Sequence, residues 1–94
     1  MNNMKRRVKM MIYGDVTGVG LRYWTRNQAK ELGLTGYVLN VDRGQVEAVF
    51  EGEKGQVEEM IERCSRGPEV SRVEKTVVKW ENATGEFSVF EIRY

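Results

Sequence analysis

Val8, Met10 and Ile12 alternate with polar positions such as Arg7 and Lys9. This is the period-two pattern of a strand with one covered face, over Arg7 to Tyr13. The period changes from Leu21 onward. Leu21, Thr25, Ala29 and Leu32 fall within about 80° of arc at 3.6 residues per turn, which predicts a helix from Leu21 to Leu32. Gly33 is a natural stop for it. Gly36 to Val41 and Gln45 to Gly52 are rich in valine and aromatics and read as two strands. Asp42-Arg43-Gly44 joins them as a hairpin loop, with glycine where positive φ is needed. Val57, Met60, Ile61 and Cys64 stand at i, i+3, i+4 and i+7, so Glu53 to Arg66 reads as a second helix with acidic residues loading its start. Gly67-Pro68 ends it. Val70 to Trp80 and Phe87 to Tyr94 read as strands separated by residues 81–85.

The order is β-α-β-β-α-β, with the last unit open to division into two strands. Two helices with single apolar stripes must both cover a sheet, on one face. The expectation is an α+β fold, a ferredoxin-like α/β sandwich with two helices on one face of a four- or five-stranded, mainly antiparallel sheet. One domain spans 1–94, with 1–6 expected as a frayed N-terminal tail. That fold hosts many functions and selects none.

Composition narrows the choice by exclusion. Fifteen Lys and Arg against 14 Asp and Glu give a net charge of +1, which offers no basic surface on the scale of a nucleic-acid binder. No apolar run approaches the length of a membrane helix. We therefore expect neither nucleic acid nor membrane as a partner. The single cysteine, Cys64, excludes an internal disulfide and suits a reducing compartment, so a cytoplasmic location is expected. Its place on a helix's apolar seam makes it a core residue rather than a nucleophile. There is no histidine. Ser-His and Cys-His catalysis are excluded with it, as is zinc held through imidazole. Any enzyme built on this chain must work by positioning and fixed charge.

The stretch Gly14-Asp15-Val16-Thr17-Gly18-Val19-Gly20-Leu21-Arg22 lies between the first strand and the first helix. The first N–H groups of a helix have no internal partner and carry partial positive charge. Glycines let the preceding loop turn its amides inward as a nest for phosphate or carboxylate. Arg22, in the first helical turn, can add a bidentate contact. A cation there opposes the helix dipole, so its presence wants a reason. The spacing fits neither a P-loop nor a dinucleotide fingerprint. By itself it leaves two readings open, a glycine-rich turn and an anion cradle. Asn40 is the second candidate. It stands opposite Tyr37, Leu39 and Val41 in strand parity, either as a strand-end asparagine or as an amide that orients a water. Asp15 and Asp42 flank these loops, too few ligands for a metal site.

Gly14 to Tyr23 resembles the signature of acylphosphatases, which runs approximately G-x-V-Q-G-V-x-F-R, and Gly36-Tyr37-Val38-Leu39-Asn40 resembles that family's second motif, G-x-V-x-N. Gly67-Pro68, Val73, Gly85-Glu86-Phe87 and the ending Phe90 to Tyr94 are similar to its tail. The resemblance implies hydrolysis of the carboxyl-phosphate bond of acyl phosphates, with no metal and no cofactor. By the same resemblance, the amides of Asp15, Val16, Thr17, Gly18, Val19 and Gly20 would hold the phosphoryl oxygens. Arg22 would clamp them and Asn40 would position the attacking water. The implied partners are a small acyl phosphate and inorganic phosphate, bound by a monomer. The sequence departs from the pattern at Thr17, where glutamine is usual, and at Leu21, where an aromatic is usual. The competing readings are a non-catalytic anion-binding or regulatory module and an RNA-binding sandwich. The latter lacks its basic-aromatic strand motif, since Glu47 interrupts Val46 to Phe50.

Overall fold

The computed structural model describes residues 4–16, 20–69 and 71–94. The elements are β1 (Lys5–Asp15), α1 (Leu21–Glu31), β2 (Thr35–Asp42), β3 (Gln45–Glu53), α2 (Lys54–Arg66), β4 (Arg72–Glu81) and β5 (Phe90–Ile92). Five strands form one mixed sheet in the order β4-β1-β3-β2-β5. β1 pairs antiparallel with β3 and β4, and β2 antiparallel with β3. β5 lies parallel to β2, with Gly36 opposite Phe90 and Val38 opposite Ile92.

The core follows from the strand parity. Val8, Met10 and Ile12 of β1, Val38 of β2, and Val46, Ala48 and Phe50 of β3 all point to one face and are fully buried. Leu21 and Ala29 from α1 and Val57, Met60 and Cys64 from α2 close over them in the same cluster. Burial of these side chains, each worth about 1.5–3 kcal/mol for a Val, Leu, Ile, Phe or Met, is what holds both helices to the sheet.

Several expectations shift. β1 begins at Lys5, since Lys5 and Arg6 pair with Glu53 and Gly52, so the chain is already ordered inside the stretch expected to fray. α2 begins at Lys54 with Glu53 as its N-cap, and its first turn holds no acidic residue. The acids stand one turn further on, where Glu58 pairs with Lys54 and Glu59 with Arg63. The largest difference is in the final strand. Only Phe90–Ile92 pairs, because residues 82–89 must carry the chain from one sheet edge to the other.

That crossing runs over the face opposite the helices and is pinned there by charge. The Glu51 carboxylate, buried to 5% exposure, accepts hydrogen bonds from the Thr84 and Gly85 amides, both at 2.8 Å. Arg7 donates to Glu86 at 2.8 Å and to the Thr84 hydroxyl at 3.0 Å. The hydrogen bond from Arg7 holds the Glu86 carboxyl below the usual carboxylate range. Phe87 packs edge-on against Tyr37, centroids 5.9 Å apart, instead of entering the sheet. Burial, then the hydrogen bond that Tyr37 donates to Glu47, pushes the Tyr37 phenol up to about 12.

Burial pushes the Cys64 thiol up to about 12 as well. A buried, protonated thiol is a poor nucleophile. We expect no labelling of native protein by a disulfide reagent at pH 8, and one equivalent on unfolding. Rapid native labelling would show that α2 is not seated as described.

Candidate active site

The site begins where β1 meets its neighbours. Gly14 adopts φ +139°, and a Cβ there would lie 2.1 Å from the Arg72 carbonyl oxygen. Only glycine fits beside the irregularity that shifts the β1–β4 register at Tyr13 and Gly14. The Gly14 amide donates to the Gly44 carbonyl at 3.1 Å. This bond ties the β2–β3 turn to the start of the loop. The end of β1, the end of β2 and the beginning of α1 therefore share one end of the sandwich.

Val16 is buried in the core and anchors the loop's first half. Asp15 is exposed at the last position of β1. Thr17, Gly18 and Val19 lie outside the described residues. Gly20 caps α1 in a left-handed conformation, φ +79°, with no side chain bonding to the helix end. The first intrahelical bond runs from Trp24 N–H to the Gly20 carbonyl at 3.0 Å. The Leu21, Arg22 and Tyr23 amides stand ahead of it, in the turn whose donors a helix leaves without internal partners.

Arg22 is half-buried, its guanidinium 4.9 Å above the Tyr94 ring centroid. Among the described residues it has no carboxylate partner, and no acidic residue lies in the first turn of α1. Arg63, by contrast, is occupied by Glu31 and Glu59. Arg22 thus places an uncompensated cation at a helix N-terminus, a combination whose net electrostatics favour an anion.

Asn40 lies on the helix-side parity of β2, two residues past buried Val38, but beyond the helix cover and exposed. The β2–β3 register slips between Asn40 and Asp42, leaving exposed Val41 as the extra residue. Such bulges re-aim side chains at strand ends. The strand parity of Asn40 is thus as the sequence indicates. Spacing gave no sign of the bulge. No local pattern marks Tyr94 either, because its contact with Arg22 joins residues far apart in the chain.

A class is defined by these features: a ferredoxin-like α+β sandwich whose first strand and first helix are joined by a glycine-rich loop, followed by an arginine with no carboxylate partner among the described residues. The acylphosphatase family profile matches residues 8–92. An acylphosphatase of Roseiflexus sp. (strain RS-1) is 46% identical over 86 residues, 92% of each chain. One of Pelotomaculum thermopropionicum is 41% identical over 90 residues, covering 96% of this chain and 98% of the relative. The crystal structure of acylphosphatase from Bacillus subtilis superposes with a TM-score of 0.90 at 29% identity, covering 95% of this chain and 99% of that one. Full-length HypF, in its phosphate- and nucleotide-bound form, contains the same fold over 12% of its length, with a TM-score of 0.89 and 26% identity. The chain belongs to the acylphosphatase family, and the enzyme class of its relatives is acyl phosphate hydrolysis. No helix among the described residues is long and apolar enough to cross a membrane.

Proposed function

We propose that this chain hydrolyses acyl phosphates without a metal, using Arg22 and Asn40 and the amides of Asp15, Val16, Thr17, Gly18, Val19 and Gly20. The observation that carries the reading is Arg22, a cation with no carboxylate partner among the described residues, in the amide-rich first turn of α1. The loop amides and Arg22 bind the phosphoryl oxygens. Asn40 accepts a hydrogen bond from a water and holds it in line. The water oxygen forms a bond to phosphorus as the bond from phosphorus to the acyl oxygen breaks. The electron pair leaves with the carboxylate, and the water's proton passes to a non-bridging phosphoryl oxygen.

This route suits a chain with no histidine. Phosphoryl transfer needs charge neutralisation and alignment more than a protein base, and a carboxylate is already a good leaving group. The activity should therefore show no protein titration near pH 6.5, the range of imidazole, once substrate ionisation is removed. We place the protein in the cytoplasm as a monomer, on its lone buried cysteine and small, charged surface.

The test is phosphate release from acetyl phosphate with EDTA present. Asn40→Ala should lower kcat on the order of 10²-fold, the size of a lost transition-state hydrogen bond, with KM little changed. Full activity in Asn40→Ala would remove the assigned role. HypF, where the fold is a small part of a larger protein, favours a second reading as a non-catalytic anion-binding module. Tight phosphate binding with no turnover would select it.

A further inference from the structure

A cleft of about 440 Å³ lies at the other end of the sandwich from Arg22, where β1 and α2 begin and β4 ends. Arg6, Lys54, Trp80, Glu81 and Asn82 line it. The length of β1 separates it from the loop after Asp15 by about 30 Å, at roughly 3.3 Å per residue. Trp80 stands opposite fully buried Val8 in the β1–β4 register, so both point to the helix side of the sheet. Arg6, two residues before Val8, has the same parity. The helix cover stops short of Trp80, which is 45% exposed. Glu81 has the opposite parity and turns its carboxylate to Arg7 at 3.1 Å. Half-buried Arg6 pairs with no carboxylate among the described residues. Its guanidinium reaches the Met4 sulfur at 3.5 Å, and a thioether is a weak acceptor. A guanidinium withdrawn from water is normally paired. Lys54 meets Glu58 at 3.1 Å on the exposed helix surface, a contact weak enough to share with a ligand.

We propose that this cleft binds a mononucleotide, its base stacked on the Trp80 indole and its phosphate held by Arg6 and Lys54. The proposal is independent of the reading of Arg22 and Asn40. Two cations stand beside a flat aromatic wall, and the acidic residue of the lining, Glu81, is already bonded to Arg7. Every base has a π-face for an indole, and a guanidinium matches phosphate with two parallel N–H bonds. An inorganic anion would leave the indole unused, and an uncharged ring would leave Arg6 unpaired. The Asn82 amide can donate to and accept from a base edge. The volume falls in the range of about 300–1,000 Å³ found for small-ligand sites.

The experiment titrates AMP into ¹⁵N-labelled protein and follows it by NMR, in wild type and in Arg22→Ala. The second protein separates phosphate bound at the α1 loop from phosphate bound in the cleft. The Trp80 indole N–H and the Arg6, Lys54 and Asn82 amides should move alike in both proteins and saturate with a Kd of about 1 mM or below. The Trp24 indole should stay still. Adenosine, which lacks the phosphate, and inorganic phosphate, which lacks the base, should each bind the cleft at least about tenfold more weakly. Trp80→Leu keeps an apolar side chain and removes the ring. Arg6→Gln keeps a polar side chain and removes the charge. Each should weaken AMP about tenfold, with the amide signals away from the cleft unmoved. Cleft signals that do not respond up to about 10 mM AMP, or that respond in wild type and not in Arg22→Ala, would overturn the proposal. Undiminished affinity in Trp80→Leu and Arg6→Gln would overturn it as well.

Discussion

Arg22→Ala should lower kcat/KM for acetyl phosphate about 10³-fold, a loss of about 4 kcal/mol in transition-state stabilisation. The folded protein should barely register the change. Arg22 pairs with no carboxylate among the described residues, so its removal leaves no buried charge behind. The variant loses the contact with Tyr94, worth about 0.5–1 kcal/mol at an exposed site. It gains a comparable amount by taking a cation away from a helix N-terminus. The two nearly cancel, so thermal unfolding should move by only a few degrees. Arg22→Lys separates charge from shape. A lysine restores a point charge but not the planar fork that grips two phosphoryl oxygens, so it should recover about a tenth of the loss in logarithmic terms or little more. Inorganic phosphate should inhibit both variants more weakly than wild type. A fall of less than tenfold in Arg22→Ala would show that the cation is not at the reaction centre.

The dipole argument for Arg22 was available in the sequence, because it needs only a helix start and a residue's place in the first turn. The strands and helices were legible for the same reason. Val8, Met10 and Ile12 state the covered face of β1 outright, and Gly33 and Gly44 mark turns that do adopt φ of +72° and +73°. What lay out of reach depends on pairs of residues far apart in the chain. Phe87 reads as a strand residue by its apolar character. It leaves the sheet because the connection from β4 must cross to the opposite edge, and on the way Tyr37 and Arg7 receive its ring. Glu51 lies on the face of β3 opposite the helices, and it is buried because that same crossing lays two backbone amides over it. The bulge at Asn40 and the pairing of Ile92 with Val38 have the same origin. Both arise from registers between strands, which no local period encodes.

Gly36→Ala carries the largest expected loss of stability. Gly36 has φ +136°, and a Cβ there would stand 1.9 Å from the Val49 carbonyl oxygen. The carbonyl belongs to β3, in the middle of the sheet, and cannot retreat without moving the strand. On the other side, the Gly36 amide donates to the Val89 carbonyl at 3.0 Å, and Gly36 stands opposite Phe90. Phe90 stacks on Phe50 with centroids 5.4 Å apart. The resemblance to a G-x-V-x-N motif would make this glycine look like part of a site, but its steric role is to let β3 and β5 both close on β2. Gly33→Ala is the control. Gly33 also has positive φ, +72°, but nothing lies within 4 Å of its added Cβ. It should cost only the left-handed backbone penalty of about 1 kcal/mol. Gly36→Ala should cost about 4 kcal/mol, from strain at the backbone and the clash together, and lower the melting temperature by about 20 °C. Because β5 carries Ile92 and Tyr94 to the side of Arg22, activity should fall with stability in the Gly36 variant and stay level in the Gly33 variant. Melting temperatures within about 5 °C of each other would show that β3 yields to the added methyl and that the glycine is not required for packing.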